Sequence, residues 1–153
     1  MKKIAFIVVL IASFTTNVSA EEKMRPLSEV IEQEQSKHMF NYVFQRCSAL
    51  MMEMAQRTGR GESREGSEEL IQFMTQGYET FASMSANLIS DIKERPQDQR
   101  TKSVTETLDV ILKLHKKYFN SMEDHYVLTG NSISDEVQQD LTICVESFKQ
   151  INK

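Results

Sequence analysis

Sulfur-bearing side chains are concentrated in one short part of this sequence, residues 44–61. Cys47 is followed by Met51 and Met54, and these spacings place the three side chains on one face of a helix. Thioether and imidazole groups are ligands that Cu(I) or a six-coordinate haem iron takes from proteins. The stretch therefore raises the hypothesis of a metal or haem site.

Residues from two later segments extend this hypothetical ligand set. In a bundle of helices, Met51, Met74 and Met122 lie about seven residues from the same end of their helices, and His125 follows Met122 by one turn. Three helices then contribute methionine to a single layer. The candidate metal ligands are Met51, Met54, Met74, Met122 and His125.

Core packing is the competing interpretation, and it is the one we favour. Methionine is flexible and fills irregular gaps in helical cores, and an inward histidine near a helix end interacts with the carbonyl groups there. The sequence contains no C-x-x-C-H, H-E-x-x-H or G-x-S-x-G motif. We therefore predict no cofactor, no metal and no enzymatic activity.

The sequence contains two cysteines, Cys47 and Cys144. Cys47 lies 11 residues before Thr58, where the first helix is predicted to end, and Cys144 lies 10 residues after Ser134, where the last one is predicted to begin. In an up-down bundle these helix ends meet at the same end of the molecule, so both sulfurs lie at similar depth. We predict a disulfide between them, with two free core thiols as the alternative.

Apolar residues recur with helical periodicity in four consecutive segments, and no segment alternates as a strand does. The predicted helices are residues 28–58, 67–95, 98–129 and 134–151. On the third helix, the predicted buried face includes Val104, Leu108 and Tyr126. Four amphipathic helices with short connections predict one all-α domain, an antiparallel up-down four-helix bundle.

The first twenty residues have the organisation of a secretory signal peptide. Lys2 and Lys3 precede a largely apolar run, residues 4–14, and Val18 and Ala20 are small residues placed as a signal peptidase requires. The run is short for a membrane span, although an uncleaved anchor is the alternative. We predict cleavage after Ala20 and a single mature domain of residues 21–153, either periplasmic or secreted.

The charge balance restricts the class of partner. Without Lys2 and Lys3, the 18 basic residues become 16 against 22 acidic ones, which gives a net charge of −6. This balance leaves no basic stripe for a phosphate backbone, so we expect no nucleic-acid partner. We also expect no transmembrane segment once the signal peptide has been removed.

The function expected from the sequence is that of a non-catalytic binding or structural module of the bacterial envelope. Its partner would be a protein or another envelope component, which would bind to the outer surface of the domain or to the connection at residues 59–66. The alternative is a metal- or haem-binding redox bundle that uses the methionine and histidine layer.

Overall fold

The computed structural model describes residues 24–33, 35–61 and 66–153, and these residues form α-helices and one turn of 3₁₀ helix without any β-strand. The helices are α1 (Leu27–Gln33), α2 (Lys37–Arg60), α3 (Ser67–Ile92), α4 (Arg100–Thr129) and α5 (Asp135–Ile151), with the 3₁₀ turn at Gln97–Gln99. The predicted all-α fold is confirmed within these residues, and its four long helices pack as a bundle to which the short α1 adds a fifth helix. The predicted signal peptide, residues 1–20, and part of the connection, residues 62–65, lie outside the described residues.

The predicted first helix, residues 28–58, is two helices in the structure, so its prediction as one continuous helix is wrong. Ser36 has extended backbone, and its side chain accepts a hydrogen bond from the N–H of Met39 at 3.1 Å. A serine in this position satisfies a free N–H of the first turn and thereby starts a new helix. The short helix α1 then packs mainly against α5 and α2.

Helices α2 and α3 run antiparallel and in close contact. Ser85 donates to the side-chain oxygen of Asn41 at 2.7 Å, and Gly77 lies against the sulfur of Met51. Residue numbers rise along α2 as they fall along α3, as the two-helix hairpin predicted from the sequence requires. Helix α4 packs on both, which completes a three-helix unit.

Helix α5 crosses this unit. Asp140, Cys144 and Phe148 occupy successive turns on one face of α5, and they contact α4, α2 and α3 in that order. The contacts are the hydrogen bond of Asp140 with Tyr118, the disulfide of Cys144 with Cys47, and the ring contacts of Phe148 with Phe73 and Phe81. With 17 residues α5 spans about 26 Å, whereas the 30 residues of α4 span about 45 Å, so α5 cannot cover α4 along its whole length.

The predicted disulfide between Cys47 and Cys144 is present, and both residues are fully buried. Their Cα atoms lie 5.2 Å apart, and the bond joins positions 97 residues apart in sequence. The bond therefore fixes α5 to the middle of α2.

Candidate functional site

A buried polar cluster joins four helices where α5 meets the three-helix unit. The guanidinium of Arg46 donates to the hydroxyl of Tyr118 at 3.0 Å and to the carboxylate of Asp140. Tyr118 in turn donates to Asp140 at 2.7 Å, and the other oxygen of this carboxylate accepts the N–H of Leu27 at 2.7 Å. Arg46 also donates to the carbonyl oxygen of Arg25, so the chain just before α1 is held by the same cluster.

The protonation states of this cluster suit a structural role. Burial opposes the charge of Arg46, but Tyr118 and Asp140 outweigh this effect and raise the pKa of the guanidinium. Burial also raises the pKa of Tyr118, which therefore stays a neutral hydroxyl that accepts from Arg46 while it donates to Asp140. These donors and acceptors bond to one another and to the backbone before α1, so the cluster holds the helices together.

A cavity of about 230 Å³ lies beside this cluster, between α4, α5 and the chain before α1. Its volume is below the range of about 300–1,000 Å³ that is typical of small-molecule sites. Lys117 and Asp124 on its wall form no ion pair with any residue that the structure describes. Its other lining residues are Met24, Pro26, Arg46, Tyr118, Asn120, Ser121, Glu136, Val137 and Asp140. The cavity has room for a few water molecules.

A second buried charge lies between α2 and α4. Glu53 is fully buried, and one of its oxygens accepts from Arg57 at 2.6 Å and faces Arg60 at 3.5 Å. Its other oxygen lies 2.8 Å from Nε2 of His115, and neither of these two buried atoms has a hydrogen-bond partner within the described residues. Arg57 also pairs with Glu123 at 2.8 Å, so this network links α2 to α4 by charge. The cavity described above does not reach it.

The five candidate metal ligands do not all share one environment. Met51, Met74 and Met122 belong to one buried core cluster, Met54 is half-buried against it, and His125 is half-buried near the end of α4. The sulfur of Met51 lies against α3 at Gly77, which is a packing contact. Within the described residues, no group of three or more His, Cys, Asp and Glu side chains is placed to hold a metal ion. Metal or haem binding through methionine stays a hypothesis.

In the first turns of α4, three apolar residues face outwards and two small polar residues face inwards, on the same buried face as Ile111 and Leu114. Val104, Leu108 and Leu112 are 45%, 36% and 55% exposed, whereas Ser103 and Thr107 are 0% and 1% exposed. We call the three apolar residues, each four positions from the next, the α4 stripe. The prediction that Val104 and Leu108 are buried is wrong, and sequence reasoning missed this feature.

Tyr126, predicted on the same buried face of the third helix, is 54% exposed, and that prediction is also wrong. Val127 and Leu128, which follow it, are 81% and 83% exposed. The last turns of α4 therefore extend beyond the core.

Contacts at the turn between α3 and α4 hold the first turns of α4 in the same rotation as its core residues, Ile111, Leu114, Tyr118 and Met122. Arg95 donates to Ser103 at 2.9 Å and to Glu106 at 2.7 Å, and Ser90 donates to Ser103 at 2.8 Å. Hydrogen bonds from Arg95 and Lys93 lower the pKa of Glu106 to about 2. We call Arg95, Ser103 and Glu106 the turn cluster. Because Ser103 must face α3 to form these bonds, the residue that follows it is directed outwards.

Comparisons with protein-family models, with curated proteins and with solved structures return no match to this chain. No helix among residues 24–33, 35–61 and 66–153 is long and apolar enough to cross a membrane.

Proposed function

We propose that this protein is an exported, non-catalytic binding module and that it binds a partner protein through the α4 stripe. The observation that carries the proposal is the arrangement of α4, with Ser103 and Thr107 inside and Val104, Leu108 and Leu112 outside. Burying a leucine or valine side chain stabilises a fold by about 1.5–3 kcal/mol. The protein forgoes part of this stabilisation on α4, and a partner that covers the stripe recovers it.

The spacing of the stripe supports a protein as the partner. Positions 104, 108 and 112 follow one another by four residues and extend over about 12 Å of helix. Anchors with this spacing are typical of helix-to-helix recognition, in which apolar side chains of one helix fill a groove on another surface.

The disulfide and the predicted signal peptide support an oxidising compartment such as the bacterial periplasm or the medium. The two polar clusters support a role without catalysis, because their charged groups are paired with one another.

A photo-crosslinking experiment tests the proposed function. A benzophenone amino acid replaces Leu112 in one variant and the more exposed Leu128 in a control, and both are produced in cells and irradiated. We expect the variant at position 112 to form a discrete adduct with one protein identified by mass spectrometry, and Leu108→Gln to abolish it. The absence of an adduct at 112, or the same adducts at both positions, would contradict the proposal.

A further inference from the structure

Charge is segregated among the helices. Helix α3 contains four acidic residues and no basic one, and α5 contains four acidic residues and one basic one. Residues 100–117 of α4 instead contain five basic and two acidic residues. The acidic balance of the whole sequence therefore conceals a basic segment, and this segment includes the α4 stripe.

The basic residues of this segment are available to a partner. Arg100, Lys102, Lys113 and Lys116 are exposed and form no ion pair with the residues that the structure describes. Asp109 is the one exposed acidic residue between them. Glu106, the other acidic residue of the segment, is half-buried and paired with Arg95 and Lys93.

The positions of the basic residues relative to the stripe are given by helix geometry. At 100° per residue, Lys116 and Arg100 are each rotated by about 80° from Leu108, in opposite directions and beside the two ends of the stripe, whereas Lys113 is rotated by about 140° and lies on the far side of α4. A helix that lies along the stripe would bring its own flanking side chains close to Arg100 and Lys116. Acidic side chains there would form favourable pairs and basic ones would be repelled.

The exposure of the stripe favours a protein segment over a lipid surface. Leu108 is 36% exposed, so its side chain is partly sunk between neighbouring groups, whereas Val127 and Leu128 project from the end of α4 at 81% and 83%. Insertion into a bilayer requires side chains that project, and a helix in a groove requires side chains that line it.

Charge also disfavours a second copy of this chain as the partner that covers the α4 stripe. Two α4 helices paired antiparallel about Leu108 would place Lys116 of one copy opposite Arg100 of the other. Parallel pairing would place each lysine near its own equivalent, and like charges that face each other are destabilising.

We infer that the partner presents an amphipathic helix whose apolar face covers Val104, Leu108 and Leu112 and whose flanks are acidic. The inference rests on the proposed function and names the chemistry of the partner. Attraction between exposed charges is screened by salt, so binding weakens as ionic strength rises. The charges determine which helix binds, and the apolar stripe provides most of the affinity.

Two designed peptides test this inference with the exported full-length domain. Both are helical 15-mers with the same leucine face, one with glutamate flanks and the other with lysine flanks, and binding is measured by fluorescence anisotropy at low and at physiological salt. We expect the acidic peptide to bind at least tenfold more tightly than the basic one. In the variant Arg100→Glu/Lys116→Glu we expect this preference to reverse, and in Leu108→Gln/Leu112→Gln we expect both peptides to lose binding.

Several outcomes would overturn the inference. Equal binding of the two peptides, tighter binding of the basic one or binding of neither would exclude acidic flanks as the recognised chemistry. A dimer in light scattering that Leu108→Gln/Leu112→Gln dissociates would identify a second copy as the occupant. Binding to vesicles with 30% anionic lipid that the same variant abolishes would identify a lipid surface. If the peptides exclude acidic flanks but position 112 still forms a discrete crosslink, the proposed function stands and only the chemistry of the partner is wrong. Failure of the inference is thus distinguishable from failure of the proposed function.

Discussion

Gly77 lets α2 and α3 approach each other at the core. A Cβ atom at this position would lie 2.1 Å from the sulfur of Met51, which is fully buried and therefore cannot move towards solvent. Overpacking of this kind costs about 1–3 kcal/mol, whereas alanine gains about 1 kcal/mol over glycine in a helix. We expect Gly77→Ala to lower the free energy of unfolding by about 1 kcal/mol in urea denaturation.

Gly59 provides the matched control for this substitution. It lies near the end of α2, where a Cβ would meet only the side chain of Ile71 at an ordinary distance of 3.8 Å. Gly59→Ala should therefore raise the free energy of unfolding by about 0.5–1 kcal/mol. Equal effects at positions 59 and 77 would show that the close approach of Gly77 to Met51 is absent.

Asp140 pairs with Arg46, the arginine that is almost fully buried within residues 24–33, 35–61 and 66–153. Asp140→Asn leaves Arg46 charged, buried and without its anion, and removing one partner of a buried pair typically costs about 3–5 kcal/mol. Asp124→Asn, on the exposed side of the neighbouring cavity, should change stability by less than about 0.5 kcal/mol. Urea denaturation of the two variants measures both changes in the free energy of unfolding. A loss below about 1 kcal/mol for Asp140→Asn would contradict the structural role of the cluster.

At the scale of the element, the turn cluster makes the junction of α3 and α4 sensitive to acid. The pKa of Glu106 is lowered from 4.5 to about 2, first by the hydrogen bond from Arg95 and then by that from Lys93. Stability from a lowered pKa is fully present above the unfolded value and is lost as the pH falls towards the folded one. We expect the wild type to lose this part of its thermal stability between about pH 4.5 and pH 2.

The variant Glu106→Gln removes the titrating group and should flatten this part of the pH dependence of Tm. Asp109→Asn is its control, since Asp109 is exposed on the same helix and forms no ion pair within the described part of the chain. A wild-type curve that Glu106→Gln leaves unchanged would show that Glu106 does not couple to folding.

Helical periodicity predicted the existence and approximate bounds of the long helices, because a period of 3.6 residues over more than 20 positions is a strong signal. Periodicity alone could not predict which face of the first turns of α4 is buried. Apolar residues at 104, 108 and 112 form one line, and Ser103 and Thr107 form a neighbouring line. The polar line continues along the helix into four residues that are buried in the core, and Ser103 bonds to Ser90 of α3 and to Arg95 of the turn, so this whole face is directed inwards. The four core residues are Ile111, Leu114, Tyr118 and Met122.

The break between α1 and α2 was missed for a similar reason. Ser36 is one polar residue in a segment whose composition fits a helix throughout, so its capping role becomes visible only with its hydrogen bond to Met39. The polar core was missed as well, since Arg46 and Asp140 are 94 residues apart and are brought together by folding alone.

At the scale of the whole molecule, the disulfide was predictable because only two cysteines exist and the bundle places them at one depth. It closes a loop of 97 residues, which corresponds to about 4–5 kcal/mol in the chain-entropy model. We expect Cys47→Ala/Cys144→Ala to lower the free energy of unfolding by roughly this amount in urea denaturation. A loss of less than about 1 kcal/mol would show that the bond adds little to the packing of α5.

The direction of α5 was not predictable in the same way. Its apolar face fits a regular fourth helix, yet Asp140 meets α4 and Phe148 meets α3, so the helix crosses the other three. This crossing and the greater length of α4 leave the α4 stripe in solvent. The proposed binding of a partner therefore depends on the orientation of α4.

Thiol labelling at two adjacent positions of α4 tests which of its faces is exposed to solvent. Thr107→Cys and Leu108→Cys are made singly in the disulfide-bonded protein, and alkylation by iodoacetamide is followed by intact mass. Since Thr107 is 1% exposed and Leu108 is 36% exposed, we expect the cysteine at 108 to react within minutes and the cysteine at 107 only after unfolding. Rapid labelling at 107 with protection at 108 would contradict the account, because the apolar stripe would then belong to the core.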